Sequence, residues 1–167
     1  MLEGINILKN KFINFKLILT MYKEDWPSYY DTIVADISSK KLNDFVINLG
    51  KIPQEEIFVL NTYSDILIYP SMCESFGFSM IEALGYGLPI VAADTPINRE
   101  ICGDAAIYYS PLNAEECANA IFSALDEKKR IDLKNKGIER FNSFDWSWKR
   151  YTKEFKKILS EISTINN

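Results

Sequence analysis

Short apolar runs alternate along this chain with longer stretches of helical periodicity, and few folds accommodate that rhythm. Five runs stand out: Phe15–Thr20 (FKLILT), Phe45–Leu49 (FVINL), Asp65–Tyr69 (DILIY), Pro89–Ala92 (PIVA) and Ala106–Tyr109 (AIYY). They are short, rich in β-branched and aromatic residues, and largely free of polar alternation. Strands buried on both faces of a parallel sheet have that pattern. Helical patterns lie between them. Pro27–Lys41 starts with Pro in the first turn, and Gln54–Tyr63 follows Pro53. Phe78–Gly87 ends at a Gly suited to a C-cap, and Ala114–Asp126 follows Asn113, a good N-cap. The order β-α-β-α-β-α-β, a short helix, then β-α predicts an α/β fold: a Rossmann-like, doubly wound parallel sheet of about five strands.

One part of that pattern is missing. Leu2, Ile5 and Leu8, or Ile5, Leu8 and Phe12, share a helical face. The chain is thus expected to open on a helix, where a doubly wound sheet opens on a strand that becomes central. Without it, Phe15–Thr20 and Asp65–Tyr69 must pair directly, leave a gap, or accept a strand from another copy.

After Asp126 the pattern is purely helical, with predicted helices over Glu127–Phe141 and Asp145–Ile162. Residues 1–126 are read as the Rossmann-like domain and residues 127–167 as C-terminal helices packing on it. Between 127 and 157 there are eleven Lys or Arg and five acids, a local charge of +6 against −10 for the remainder. Two solvated amphipathic helices account for this. A surface meeting an anionic membrane or an acidic partner is the sharper alternative.

Composition removes several function classes. The 167 residues suit one domain of about 150, and 47% hydrophobic content supports a packed core. With no histidine, Ser-His-Asp and Cys-His machinery and His-ligated zinc are excluded. Cys73, Cys102 and Cys117 are too few and too scattered for a disulfide framework or a zinc site. A net charge of −4 disfavours general nucleic-acid binding. No signal peptide and no membrane-spanning run is read, so the expected location is cytoplasmic, with the inner membrane face open to the basic helices.

The segment Tyr69 to Pro89, YPSMCESFGFSMIEALGYGLP, carries the chemistry. A strand ending at Tyr69 feeds a loop and then a helix starting near Phe78, the place where open α/β sheets bind ligands. Gly77 lets a ligand approach the backbone. The first-turn N–H groups around Phe78, Ser79 and Met80, with the helix dipole, favour a phosphate or diphosphate. Glu74 on the loop and Glu82 one turn into the helix flank the same crevice, because helical side chains lean toward the N-terminus. A carboxylate accepts two hydrogen bonds and suits a vicinal diol on a ribose or sugar. An anion site between two diol acceptors describes a nucleotide-sugar, although a surface Glu is an ordinary reading of either residue. Gly50 and Lys51 follow a strand and are candidate nucleobase contacts or a plain turn. Arg99 is read as an ion-pair partner of Glu100 or Asp104. No D-x-D pair exists.

This segment resembles the E-x7-E signature of the GT-B glycosyltransferases of family 4, the glycosyl transferases group 1. The similarity extends over SDILIYPSMCESFGFSMIEALGYGLPIVAADTPINREICGDAAIYYSP, over NFKLILT and VINLGKIPQEEI upstream, and over FDWSWKRYTKEF downstream. The resemblance implies transfer of a hexose from a nucleotide diphosphate sugar, UDP- or GDP-linked, with retention and without a metal or other cofactor. It implies that Glu74 orients the donor sugar at the catalytic centre. The backbone of Phe76, Gly77, Phe78 and Ser79 would hold sugar and diphosphate, and Glu82 would bind the ribose. Ser79 stands where many relatives have Leu or Pro, a mild departure, since Ser carries a backbone N–H at that position. Two family parts are not matched: an N-terminal acceptor domain, and a Gly-Arg…Lys-Gly loop whose cations offset the leaving diphosphate. The expectation is a donor-binding half, inactive alone, serving glycan or polysaccharide assembly. A GT-B nucleotide-sugar epimerase and a non-catalytic binding module are the alternatives.

Overall fold

The computed structural model describes residues 1–11, 14–144 and 147–165. Helix α1 (Leu2–Lys11) comes first. Strands β1 (Leu17–Leu19), β2 (Val46–Asn48) and β3 (Leu67–Tyr69) are separated by α2 (Pro27–Ser39) and α3 (Gln54–Tyr63). Then follow α4 (Phe78–Tyr86), β4 (Ile90–Ala93), α5 (Pro96–Cys102), β5 (Ala106–Tyr109), α6 (Ala114–Ala124), α7 (Glu127–Ser143) and α8 (Trp148–Ile165). Every predicted helix and strand is present, with ends moved by a few residues. Phe12 and Asp145, at the ends of two predicted helices, lie outside the described residues.

All strand pairs are parallel, but they form two sheets: β1 with β2, and β3-β4-β5. β1 and β3 do not pair directly, and within the chain a gap lies between them. A cleft of about 500 Å³ lies along it, lined by Leu17, Ile18 and Leu19 on one side and Ile66, Leu67 and Ile68 on the other.

The gap corrects one expectation. The five apolar runs were expected to be buried on both faces. Only β4 is buried throughout, whereas β2 and β3 have no fully buried residue. Burial of a strand depends on its neighbours: β3 lacks one along the gap, and β2, an edge strand, has only β1 beside it. Ile47 is left 41% exposed.

Two apolar cores sandwich β4. Val91 and Ala93 join Ile5, Leu8, Leu17, Ile37, Ile121 and Tyr109 in the first, beneath α1, α2 and α6. Ile90 and Ala92 join Met80, Leu84, Ile101 and Cys102 in the second. The helices approach closely where small residues allow it. A Cβ at Gly4 would lie 3.2 Å from Cys117, bringing α1 onto α6, and one at Gly85 would lie 3.0 Å from the Phe141 ring, bringing α7 onto α4, where Gly137 also meets Leu84. Arg140 on α7 also donates from Nε to the Ile101 carbonyl at 2.9 Å. The two C-terminal helices therefore behave differently. α7 packs on the domain, while α8 is exposed from residue 149 to residue 162. No described helix is long and apolar enough to cross a membrane.

Candidate functional site

The site is built at the C-terminal end of β3. After Tyr69 the chain loops through Pro70–Phe76 and enters α4 at Gly77, whose φ of 74° and ψ of 52° place it in the left-handed region. Glycine adopts that conformation without strain. A Cβ there would stand 2.5 Å from the Met80 Cε and 3.5 Å from the Tyr69 hydroxyl. Gly87 closes the helix, again left-handed, and Leu88 N–H donates to the Ala83 carbonyl at 2.9 Å. This is a Schellman-type end. Met80, Ile81, Ala83 and Leu84 anchor the buried side of α4, so Phe78 and Ser79 face outward.

The first turn differs in one respect from expectation. Met80 N–H is not available, because it donates to the Gly77 carbonyl at 3.0 Å. No side chain caps the helix. Among the described residues, the N–H groups of Phe78 and Ser79 donate to no protein acceptor. They form the anion-seeking end of the helix. The Phe76 and Phe78 rings meet edge to face at 5.0 Å and form an apolar wall beside them.

Glu74 is half-buried on the loop, with the Tyr69 hydroxyl as its neighbour. Burial first, and the Glu74 carboxylate second, push the Tyr69 phenol well above its usual range. The hydroxyl thus stays protonated, a donor beside Glu74. Tyr69 was not singled out in the sequence; its place as the last residue of β3, five before Glu74, was its only mark. Glu82, the fifth residue of α4, is half-buried, and no described protein group claims its carboxylate. One carboxylate therefore has a neutral donor beside it, and the other is left open.

A second unforeseen residue supports the loop. Asn98, fully buried on α5, donates to the Ser71 carbonyl at 3.1 Å and to the Ala93 carbonyl at 2.8 Å. It ties the loop after β3 to the end of β4. Thr95 caps α5 by accepting from Asn98 N–H at 3.3 Å. Arg99 is an ion-pair partner, as expected, but of a different acid. It forms a fork with Asp94, with Nη2 2.7 Å from Oδ2, and lies 4.4 Å from the centre of the Tyr108 ring. Asp94 projects from the end of β4 toward the start of α5, which places it closer than Glu100 or Asp104. The guanidinium holds the Asp94 carboxyl below its usual range.

Gly50 and Lys51 follow β2, in the other sheet across the gap. Asn48 organises that end: its Oδ1 accepts from Met21 N–H at 3.0 Å and from Gly50 N–H at 3.2 Å. The Lys51 ammonium lies 5.4 Å from the centre of the Tyr22 ring. Cys73 is exposed beside Glu74, and all three cysteines are free thiols. Among the described residues no group of three or more Cys, Asp or Glu is placed to hold a metal ion.

The family model for glycosyl transferases group 1 matches residues 6–140, which include this whole site. The chain belongs to that family. Within the family, the chain is 28% identical over 142 residues to the O-antigen chain mannosyltransferase RfbU of Salmonella typhimurium, covering 83% of this chain and 37% of the relative. It is 24% identical over 136 residues to O-antigen chain mannosyltransferase B of Escherichia coli, covering 80% of this chain and 35% of the relative. The chain thus spans little more than a third of these relatives. Among solved structures, a sucrose-phosphate synthase from Thermosynechococcus elongatus superposes with a TM-score of 0.81 at 20% identity, over 98% of this chain and 42% of that one. Anabaena HepE in complex with UDP and glucose superposes with a TM-score of 0.72 at 20% identity, over 87% of this chain and 40% of that one. The group 1 chain therefore has the Rossmann-like GT-B architecture, as the resemblance implied.

Proposed function

We propose that this group 1 chain is the donor-binding half of a retaining, metal-independent glycosyltransferase that moves a hexose from a nucleotide diphosphate sugar to an acceptor. The observation that carries this reading is the head of α4. Two unclaimed N–H groups stand at the helix start, with one carboxylate beside the Tyr69 hydroxyl on the loop and another, in the helix, that no described protein group holds. Phe78 and Ser79 N–H would receive the diphosphate, whose negative charge grows as the sugar leaves, and the helix dipole favours that charge. Glu74 would accept from the sugar hydroxyls and fix the anomeric carbon's orientation, and Glu82 would accept from the ribose diol. The neighbours support it: one is titled as a complex with UDP and glucose, and the curated relatives are named as mannosyltransferases of O-antigen chains.

A role in surface-polysaccharide assembly, in the cytoplasm and against the inner membrane face through the basic α7 and α8, follows from the same reading. UDP- and GDP-sugars are the candidate donors, with Gly50 and Lys51 as candidate nucleobase contacts. An acceptor domain and phosphate-neutralising cations would come from other polypeptide, so the 167 residues alone are expected to bind donor weakly and transfer nothing. Calorimetry with UDP, GDP, UDP-glucose and GDP-mannose tests this. The expected result is weak binding of one nucleotide and its sugar, reduced at least tenfold by Glu82→Ala, since a hydrogen bond to a charged group is worth about 1.5–3 kcal/mol. Absence of binding by both proteins would leave a non-catalytic module as the better reading. Transfer of sugar by the 167 residues alone would refute their dependence on a second half.

A further inference from the structure

Asn98 stands where the pairing of β3 with β4 comes to an end. Leu67 N–H donates to the Pro89 carbonyl at 2.9 Å, and Tyr69 lies opposite Ala92 in the last register pair of the two strands. Strand backbone groups alternate in direction with a period of two, so the Ala93 carbonyl points the same way as that of Pro89, toward β3. A continuing β3 would meet it with the N–H of Ser71. The chain instead leaves the sheet after Tyr69, and the Asn98 side chain takes that position. Its Nδ2 donates to the Ala93 carbonyl at 2.8 Å and to the Ser71 carbonyl at 3.1 Å. The amide is thus one more rung, laid between the end of one strand and the loop that follows its neighbour.

The chemistry of the position selects an amide. Two carbonyls meet a fully buried side chain, and a carboxamide nitrogen gives each a donor without bringing in a charge. Turned over, the side chain would set its Oδ1 against both carbonyls, so the two bonds decide its orientation. Among the described residues nothing donates to Oδ1, so the side chain is held by its donors alone. Its backbone is anchored as well: Asn98 N–H donates to Thr95 Oγ1 at 3.3 Å, and Pro96 opens the helix. The Ser71 carbonyl that Asn98 holds lies three residues before Glu74. A further bond shortens that distance, because the Ser71 hydroxyl donates to the Cys73 carbonyl at 3.2 Å. A continuous run from α5 through Asn98 and Ser71 therefore ends on the residue next to Glu74.

We infer that Asn98 is a positioning residue: through Ser71 it sets where the loop, and with it the Glu74 carboxylate, stands. The consequence for sugar binding rests on the donor-site reading; the hold on the loop does not. Asn98→Leu keeps the branched shape and removes both donors. Ser71→Ala leaves the buried amide bonds in place and removes only the link to Cys73. A nitroxide on Cys73, the exposed thiol beside two buried ones, reports loop motion by electron spin resonance. Calorimetry on the unlabelled proteins compares UDP with UDP-glucose and GDP with GDP-mannose. Both variants are expected to sharpen the nitroxide spectrum. Asn98→Leu is expected to weaken nucleotide-sugar binding about five- to tenfold, and Ser71→Ala less, with free nucleotide within about twofold. The double variant is expected to match Asn98→Leu alone, because two substitutions on one path do not add. The inference fails if the nitroxide is as ordered in both variants as in the parent. It fails equally if nucleotide and nucleotide-sugar lose affinity in equal proportion, or if the two substitutions add as independent sites. Where circular dichroism shows Asn98→Leu unfolded, Ser71→Ala decides by the same two readouts. Where the parent binds no nucleotide, the donor-site reading falls and the nitroxide alone decides the hold on the loop.

Discussion

At the residue scale, the informative pair is Tyr69 and Glu74. A glutamate in a loop would sample many rotamers, and a donor hydroxyl at the end of β3 restricts it. Tyr69→Phe is expected to leave the fold and the affinity for free nucleotide unchanged and to weaken binding of the nucleotide-sugar about five- to tenfold. Calorimetry comparing UDP with UDP-glucose separates this positioning role from a general loss of structure. The thiols give a second expectation. Burial pushes the Cys102 thiol up to about 12 and also raises that of Cys117. Both unfold into water, where they ionise near the ordinary value. The folded state therefore holds more protons between the two values, and stability falls as pH rises above about 9. Thermal melts from pH 7 to pH 11 are expected to show a declining midpoint, with a shallower slope in Cys102→Ala. Glu74, Glu82 and Gly77 were legible because their spacing is local. Tyr69 and Asn98 were not, because a hydrogen bond across a loop or between strand ends leaves no periodic trace.

At the element scale, local signals defined helices better than strands. Gln54–Tyr63 and Ala106–Tyr109 match at both ends, whereas Phe15–Thr20 shortens to Leu17–Leu19. Pro53 and Asn113 act within one turn of their helices, and the structure follows them. An apolar run says that a strand is buried but not which neighbour buries it, so the exposure of β2 and β3 was invisible. The seat of α7 on α4 was equally invisible, since it brings Phe141 and Gly137 against Gly85 and Leu84 from a distant part of the chain. Leu84 is fully buried at that contact. Leu84→Ala is expected to cost about 2–5 kcal/mol in denaturant unfolding, because the rigid α4–α7 packing relaxes little around the cavity.

At the scale of the whole molecule, the two C-terminal helices divide the charge asymmetry between a docked and an undocked element. Tyr151, Phe155, Ile158, Leu159 and Ile162 are each at least half exposed on α8. A chain ending after Phe144 is therefore expected to keep its melting midpoint within about 3 °C, and light scattering is expected to show less self-association. A larger loss of midpoint would show that α8 contributes to the core.

The placement of β4 has a consequence for sequence change. Ile90 and Ala92 fill one core while Val91 and Ala93 fill the other, so four consecutive residues serve two separate volumes. A sidestep of the strand by one position would exchange the two sets, putting Val91 where Ala92 or Ile90 fits, and would crowd one layer while hollowing the other. Neither layer can drift independently of its counterpart. In a library of variants, substitutions at positions 90–93 should be accepted in covarying sets drawn from both layers, and the strand joining them should be the most slowly diverging part of the domain.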